Sequence, residues 1–145
     1  MTIEKHNTMD STFYLSNLGK SGKDVILEST EQSPFVKYSN RENALRISGN
    51  SFMEDAHQFY SPFLDKIYND LTETGDAILE LHFSAFGPKT AKVLFALFDN
   101  LRTFKQVGKE MNIIWKCNTA NESMSDLGES FSELFDLTFQ FKYSD

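Results

Sequence analysis

The feature that most constrains the fold is a predicted strand–turn–helix unit between residues 77 and 109. Residues 77–83 carry alternating apolar side chains, a pattern typical of a strand that helices cover. After the turn, apolar residues recur at three- and four-residue steps, as in an amphipathic helix. In the turn, Gly87 allows unusual backbone angles, and Pro88 suits the first helical position, where no amide proton is needed. The unit therefore presents a helix N-terminus at the carboxyl end of a strand, where open α/β sheets usually have their sites.

Strand and helix patterns continue to alternate on both sides of this unit. Strands are predicted at residues 35–38, 44–48, 77–83, 112–116 and 138–143. Ser51 and Glu54 have the spacing of a capping box that begins one helix, and Ser123 begins the last helix. This order predicts an α/β fold with right-handed crossovers. We expect a mixed, largely parallel sheet of about five strands with three main helices.

The length of 145 residues fits one domain with a substantial core. Residues 1–24 are polar and mixed, and they predict a flexible N-terminal tail. The only apolar cluster in that segment, residues 13–15, leaves open a second interpretation, in which the tail is an arm that binds a partner. Residues 25–145 are predicted to form a single domain.

Charge and composition exclude several classes of protein. The formal net charge is −7, and no run of Lys or Arg is present, which argues against nucleic acid or an anionic membrane as a partner. The apolar stretches fall far short of the roughly 20 residues that span a bilayer. No signal segment opens the chain, and the single cysteine, Cys117, has no partner for an internal disulfide. We therefore expect a cytoplasmic protein.

Residue patterns that carry catalysis are missing. The turn at residues 84–90 lacks the glycine spacing of a P-loop, and no dinucleotide-binding fingerprint follows a strand. The three histidines, His6, His57 and His82, are widely separated, and none has a Cys or His at metal-ligand spacing. We therefore predict no catalytic residues, no metal site and no cofactor. The residues alone indicate a small α/β domain that binds an unidentified partner.

Four segments resemble one bacterial family in order and spacing. They are a Thr/Ser and Pro segment at 29–34, a strand-to-helix segment at 45–56, the start of a helix at 91–94, and, toward the end of the chain, a strand at 114–116 with the helix at 127–135. Together they cover about residues 27–143, and the chain resembles the SiaC family of regulatory phosphoproteins. The resemblance implies a STAS-like (SpoIIAA-like) fold.

What the resemblance implies about function is a non-enzymatic partner switch. In that family the unphosphorylated protein binds and activates a diguanylate cyclase, which raises cyclic di-GMP. A dedicated, SiaB-like kinase phosphorylates a threonine in the turn before the second helix, and a metal-dependent phosphatase removes the phosphate. A phosphate adds about −1.5 to −2 charges, which an interface shaped for a neutral hydroxyl would not match.

The sequence departs from the family at this threonine. Counting back from Lys92 places the family's phosphothreonine on Pro88, which has no hydroxyl. Thr90 and Ser84 are the remaining phosphorylation candidates in the turn. Three interpretations stay open: Thr90 has taken over the role, the switch is lost and binding is constitutive, or regulation has a different input.

The turn and the start of the first helix together form the predicted partner-binding face. Its residues are Glu54, Asp55, Phe86, Gly87, Pro88, Lys89, Thr90 and Lys92. The alternative function is a STAS-like carrier of a small ligand or lipid, because the 14 phenylalanines are enough to line an apolar pocket.

Overall fold

The computed structural model describes residues 24–145, which form one six-stranded sheet and three helices. The elements in chain order are β1 (Val25–Leu27), β2 (Phe35–Ser39), β3 (Ala44–Ser51), α1 (Ala56–Thr74), β4 (Ile78–Phe86), α2 (Pro88–Gln106), β5 (Asn112–Asn118), α3 (Glu122–Leu134) and β6 (Phe139–Ser144). The predicted tail, residues 1–24, lies outside the described residues except for Asp24.

The strands lie in the sheet in the order in which they occur in the chain. β1, β2 and β3 pair antiparallel, and β3 to β6 pair parallel. The predicted mixed, largely parallel sheet with three helices is therefore confirmed for the described part of the chain. The count of about five strands was one too low, because Val25 and Leu27 pair with Tyr38 and Val36 in a strand too short to leave a periodic pattern.

All three helices lie on one face of the sheet. Right-handed crossovers between strands that follow each other in order always place the helix on the same side. In β4, Leu79, Leu81 and Phe83 are buried against the helices, whereas Glu80 and His82 on the other face are only half-buried. The expectation that helices cover this strand was therefore right for one face and wrong for the other.

The core between sheet and helices is rich in aromatic side chains. Phe131 of α3 is centred 5.1 Å from Phe98 and 5.9 Å from Trp115. The Trp115 indole donates a hydrogen bond to the Met124 carbonyl at 2.9 Å. A Cβ on Gly128 would come within 2.5 Å of the indole nitrogen, so α3 approaches the sheet closely because this residue is glycine. The aromatic content therefore fills the core.

The first and last helices, α1 and α3, begin at residues other than those that the sequence predicted. Ser51 remains in β3, paired with Phe86, and four residues separate the end of that strand from the start of α1. The predicted capping box was wrong, because pairing with β4 holds Ser51 in an extended backbone. In α3 the capping residue is Asn121, whose side chain accepts a hydrogen bond from the Met124 amide at 3.2 Å, and not Ser123.

Candidate functional site

The ends of β3 and β4 and the beginnings of α1 and α2 meet at the carboxyl edge of the parallel strands. The Gly87 amide donates to the Ser51 carbonyl at 2.9 Å, and the Phe52 amide donates to the Gln32 carbonyl at 2.8 Å. These bonds fix the loop between β3 and α1 beside the predicted turn. Open α/β sheets usually place their binding sites at this edge.

A surface groove of about 540 Å³ runs between the first turns of α1 and α2. We call it the charged groove, because carboxylates line one wall and ammonium groups the other. Its principal residues are Glu54, Asp55, Lys89, Lys92, Val93 and Ala96. Four of the eight residues predicted to bind a partner, two acids and two lysines, are thus brought together in one groove.

The two lysines lie at an electrostatically unfavourable end of their helix. Lys89 and Lys92 occupy the first two turns of α2, near the positive end of the helix dipole, and no acidic residue lies in the first turn. Glu54 and Asp55, by contrast, precede α1 and are favourably placed for its dipole. Stability of α2 therefore does not account for the lysines, whereas a partner carrying negative charge would match them.

Thr90 points away from the groove and into the protein. It has no exposed surface, and its hydroxyl lies 2.7 Å from the Ser51 hydroxyl. The Ser51 hydroxyl in turn lies 2.7 Å from the Tyr60 hydroxyl, and burial raises the pKa of Tyr60 far above its ordinary value. We call these three side chains the hydroxyl cluster. It links the end of β3 to α1 and to the first turn of α2.

Ser84, the other phosphorylation candidate, is exposed and lies on the opposite side of the turn. It is the extra residue of a β-bulge, since Gly49 pairs with Phe83 and Asn50 pairs with Ala85. The Ser84 carbonyl accepts a hydrogen bond from the Asn121 side chain at 3.0 Å. Ser84 therefore lies nearer to the start of α3 than to the charged groove.

Three of the turn residues between Ser84 and Thr90 have structural roles. Phe86 is half-buried edge-on against Phe83, with ring centroids 5.3 Å apart. Gly87 has extended backbone angles that other residues also adopt, so the turn does not use the conformational freedom of glycine. A Cβ at Gly87 would instead lie 3.2 Å from the Phe52 ring. Pro88 is the first residue of α2, as predicted, and is exposed.

Phe52 is a surface residue that the sequence analysis did not select. Its side chain is 45% exposed beside Gly87 and next to the charged groove. Large aromatic side chains that protrude beside polar residues are frequent anchors in protein interfaces. Phe52 directly follows the last residue of β3, and this position could have indicated an exposed side chain at the edge of the sheet. The predicted capping box instead placed Phe52 inside a helix.

The pockets formed by the described residues are small or open to the surface. One that is lined by Leu101 and Ile113 measures about 40 Å³, enough for a water molecule or two, and one of about 450 Å³ that is lined by Ser33, Met53 and Phe59 opens to the solvent. Within residues 24–145, no three His, Cys, Asp or Glu side chains are grouped so that they could hold a metal ion. None of the helices in that range is long and apolar enough to cross a bilayer.

Comparison with known proteins agrees with the geometry. The family described as SiaC family regulatory phosphoprotein matches residues 27–144. An uncharacterised protein of Pseudomonas aeruginosa strain UCBPP-PA14 is 22% identical over 119 residues, covering 81% of this chain and 93% of that protein.

Two solved structures share the fold. The crystal structure of the diguanylate cyclase SiaD in complex with its activator SiaC from Pseudomonas aeruginosa contains a chain that superposes with a TM-score of 0.76 at 19% identity. That match covers 83% of this chain and 99% of the other. Apo-SiaC from the same organism superposes with a TM-score of 0.69 at 18% identity, covering 85% and 99%.

Proposed function

This chain belongs to the SiaC family of regulatory phosphoproteins, and from that premise we propose that it is a non-enzymatic activator that binds a diguanylate cyclase. The observation that carries the proposal is the family match over residues 27–144, which includes every strand and helix from β2 to β6. The fold shared with SiaC, which is named as the activator of SiaD, supports the same class of partner.

The binding surface that we assign is the charged groove together with Phe52. The groove combines acidic and basic side chains with the apolar Val93 and Ala96. The exposed Phe52 ring lies beside Gly87, directly before the helix that carries the two lysines. Charged walls provide orientation, and a desolvated aromatic ring provides affinity. Glu54, Lys89 and Lys92 act directly in binding, whereas Thr90 acts through the hydroxyl cluster by holding α2 against α1.

In our proposal the protein binds its partner constitutively, and phosphorylation of the turn does not control that binding. Pro88 stands where the family resemblance places the phosphothreonine, and Thr90 has no exposed surface. A kinase needs to reach the hydroxyl, so phosphorylation of Thr90 would require the first turn of α2 to open. Ser84 is accessible, but its position toward α3 separates it from the charged groove.

The test is the amount of cyclic di-GMP formed from GTP by each diguanylate cyclase encoded in the source genome, with and without the purified protein. We expect at least one cyclase to become more active. The double variant Lys89→Glu and Lys92→Glu should lower that activation about tenfold or more, since reversing groove charges opposes a complementary partner. Activation of no cyclase would contradict the proposal.

A matched variant separates the groove from the effect of net charge. Arg41→Glu with Lys109→Glu changes the net charge equally, but both residues lie at the opposite edge of the sheet, in the loops before β3 and before β5. Because the Lys109 ammonium donates a hydrogen bond to the Thr72 carbonyl at the end of α1, circular dichroism first verifies that this variant is folded. This variant should activate the cyclase as the wild type does. Equal loss in both variants would show that overall charge, and not the groove, governs binding.

A further inference from the structure

The face of the sheet opposite the helices is uncovered in the described part of the chain. Parallel strands are usually covered on both faces, so an uncovered face on β3 to β6 is unusual. The side chains that project from it include Ile26, which is 50% exposed at the edge. We call this surface the open face.

Basic side chains cross the open face from strand to strand. Lys37, Arg46, Lys116 and Lys142 project from β2, β3, β5 and β6, respectively. Two acids pair with them: Glu80 projects from β4, 3.7 Å from Arg46 and 3.8 Å from Lys116, and Glu42, in the loop before β3, lies 3.0 Å from Arg46. The four basic side chains thus exceed these two acids by two charges, although the whole chain has a net charge of −7. The open face would therefore fit an acidic surface.

An acidic surface of this kind lies on the outer side of α3. Its four acids recur at steps of four, three and four residues and therefore share one stripe: Glu122, Asp126, Glu129 and Glu133. All four are exposed, and the helix contains no basic residue. Like charges at such spacing destabilise a helix. Two exposed leucines, Leu127 and Leu134, lie beside the stripe.

The basic side chains of the open face and the acidic stripe of α3 extend over similar lengths. Five strands separated by about 4.8 Å place Lys37 and Lys142 roughly 19 Å apart across the sheet. The eleven helical steps from Glu122 to Glu133 span roughly 16 Å. A helix laid across the open face would also give the parallel strands the second cover that they lack.

We propose that the open face binds α3 of a second copy of this chain. The helix layer and the open face lie on opposite sides of the molecule, so the contact joins two different surfaces and is heterologous. Each copy then offers one free surface of each kind, and the chain associates head to tail. The contact leaves the charged groove at the edge of the sheet accessible.

Sedimentation velocity over a concentration series at physiological ionic strength tests this proposal on the full chain. The average mass should rise above the 16.6 kDa of one chain as the concentration increases. An open-face variant, Lys37→Glu with Lys142→Glu, and an α3 variant, Asp126→Lys with Glu129→Lys, should each remain monomeric. The control Arg41→Glu with Lys109→Glu should associate like the wild type.

Mixing the two monomeric variants gives the decisive result. In the mixture the unchanged open face of the α3 variant meets the unchanged α3 of the open-face variant, so the two variants should pair with a strength within about threefold of the wild-type contact. A mixture that stays monomeric, or a wild type that stays monomeric at millimolar concentration, would overturn the proposal and assign the open face to a different acidic partner. Circular dichroism of each variant verifies that it is folded.

Discussion

At the scale of single residues, Thr90 shows how far sequence reasoning reaches. The sequence identified it as the hydroxyl nearest to the turn, and a hydroxyl there serves equally well as a phosphorylation site or as a structural bond. Only the tertiary structure brings Ser51, 39 residues earlier, within 2.7 Å. No local pattern encodes that contact. Phe52 was missed for the same reason, since its exposure depends on how β3 ends.

Thr90→Val should destabilise the protein by about 1–3 kcal/mol, because valine fills the same space but removes a buried hydrogen-bonding hydroxyl. Chemical denaturation measures the change in the free energy of unfolding. Thr90→Ser keeps the hydroxyl and should cost less than Thr90→Val. If both variants cost the same, the hydroxyl cluster would not contribute to stability.

Because the Tyr60 hydroxyl is buried, we predict that the folded protein loses stability in alkaline solution. Burial raises the pKa of its hydroxyl above the ordinary value of 10.0, so the folded state keeps a proton that the unfolded state releases. Stability from this group is complete below about pH 10 and falls by about 1.4 kcal/mol per pH unit above it. Tyr60→Phe should make the fall less steep, as measured by denaturation at several pH values. Tyr143→Phe, at a position 53% exposed, should leave the slope unchanged; equal slopes in all three proteins would disprove this role.

At the scale of elements, periodicity predicted the strands and helices well and their ends poorly. The helix stripe from Val93 to Leu101 is buried as expected. The capping-box spacing at Ser51 predicted the start of a helix wrongly. Ser51 instead pairs with Phe86 of a neighbouring strand, and a local pattern does not reveal that non-local interaction. β1 has three residues, too few for any period to be recognised.

The packing of α3 depends on one aromatic residue more than on its neighbours. Phe131→Ala should destabilise the protein by about 3–5 kcal/mol, because it leaves a cavity among Phe98, Trp115 and Phe135. Phe95 also contacts Phe131 but is 48% exposed, so Phe95→Ala should cost clearly less. Thermal or chemical denaturation compares the two. Similar costs would mean that α3 is not anchored through Phe131.

At the scale of the whole molecule, topology decides which surfaces exist. The order of elements predicted right-handed crossovers, and these crossovers place all three helices on one face. The open face follows from the same rule, but the sequence analysis did not draw that consequence because it took the central strand to be covered by helices. Charge segregation was also hidden, since a net charge of −7 does not reveal that basic residues are gathered on one side.

The charged groove is likewise a product of the whole fold. Glu54 and Lys89 are 35 residues apart in sequence, and only the parallel pairing of β3 with β4 brings the helices that follow these strands side by side. The sequence could propose both residues because the family resemblance included them. It could not predict that Lys89 and Lys92 would line the groove while Thr90, between them, turns inward.

Amide hydrogen exchange of this protein, with and without the diguanylate cyclase that it activates, tests the central claim most directly. The first-turn amides of a helix have no partner within the helix, so those at the starts of α1 and α2 respond to a bound protein. We predict slower exchange at residues 52–58 and 87–93 in the complex and unchanged exchange in the loops at residues 40–43 and 107–111. Protection confined to other parts of the chain would contradict the assignment of the charged groove as the binding surface.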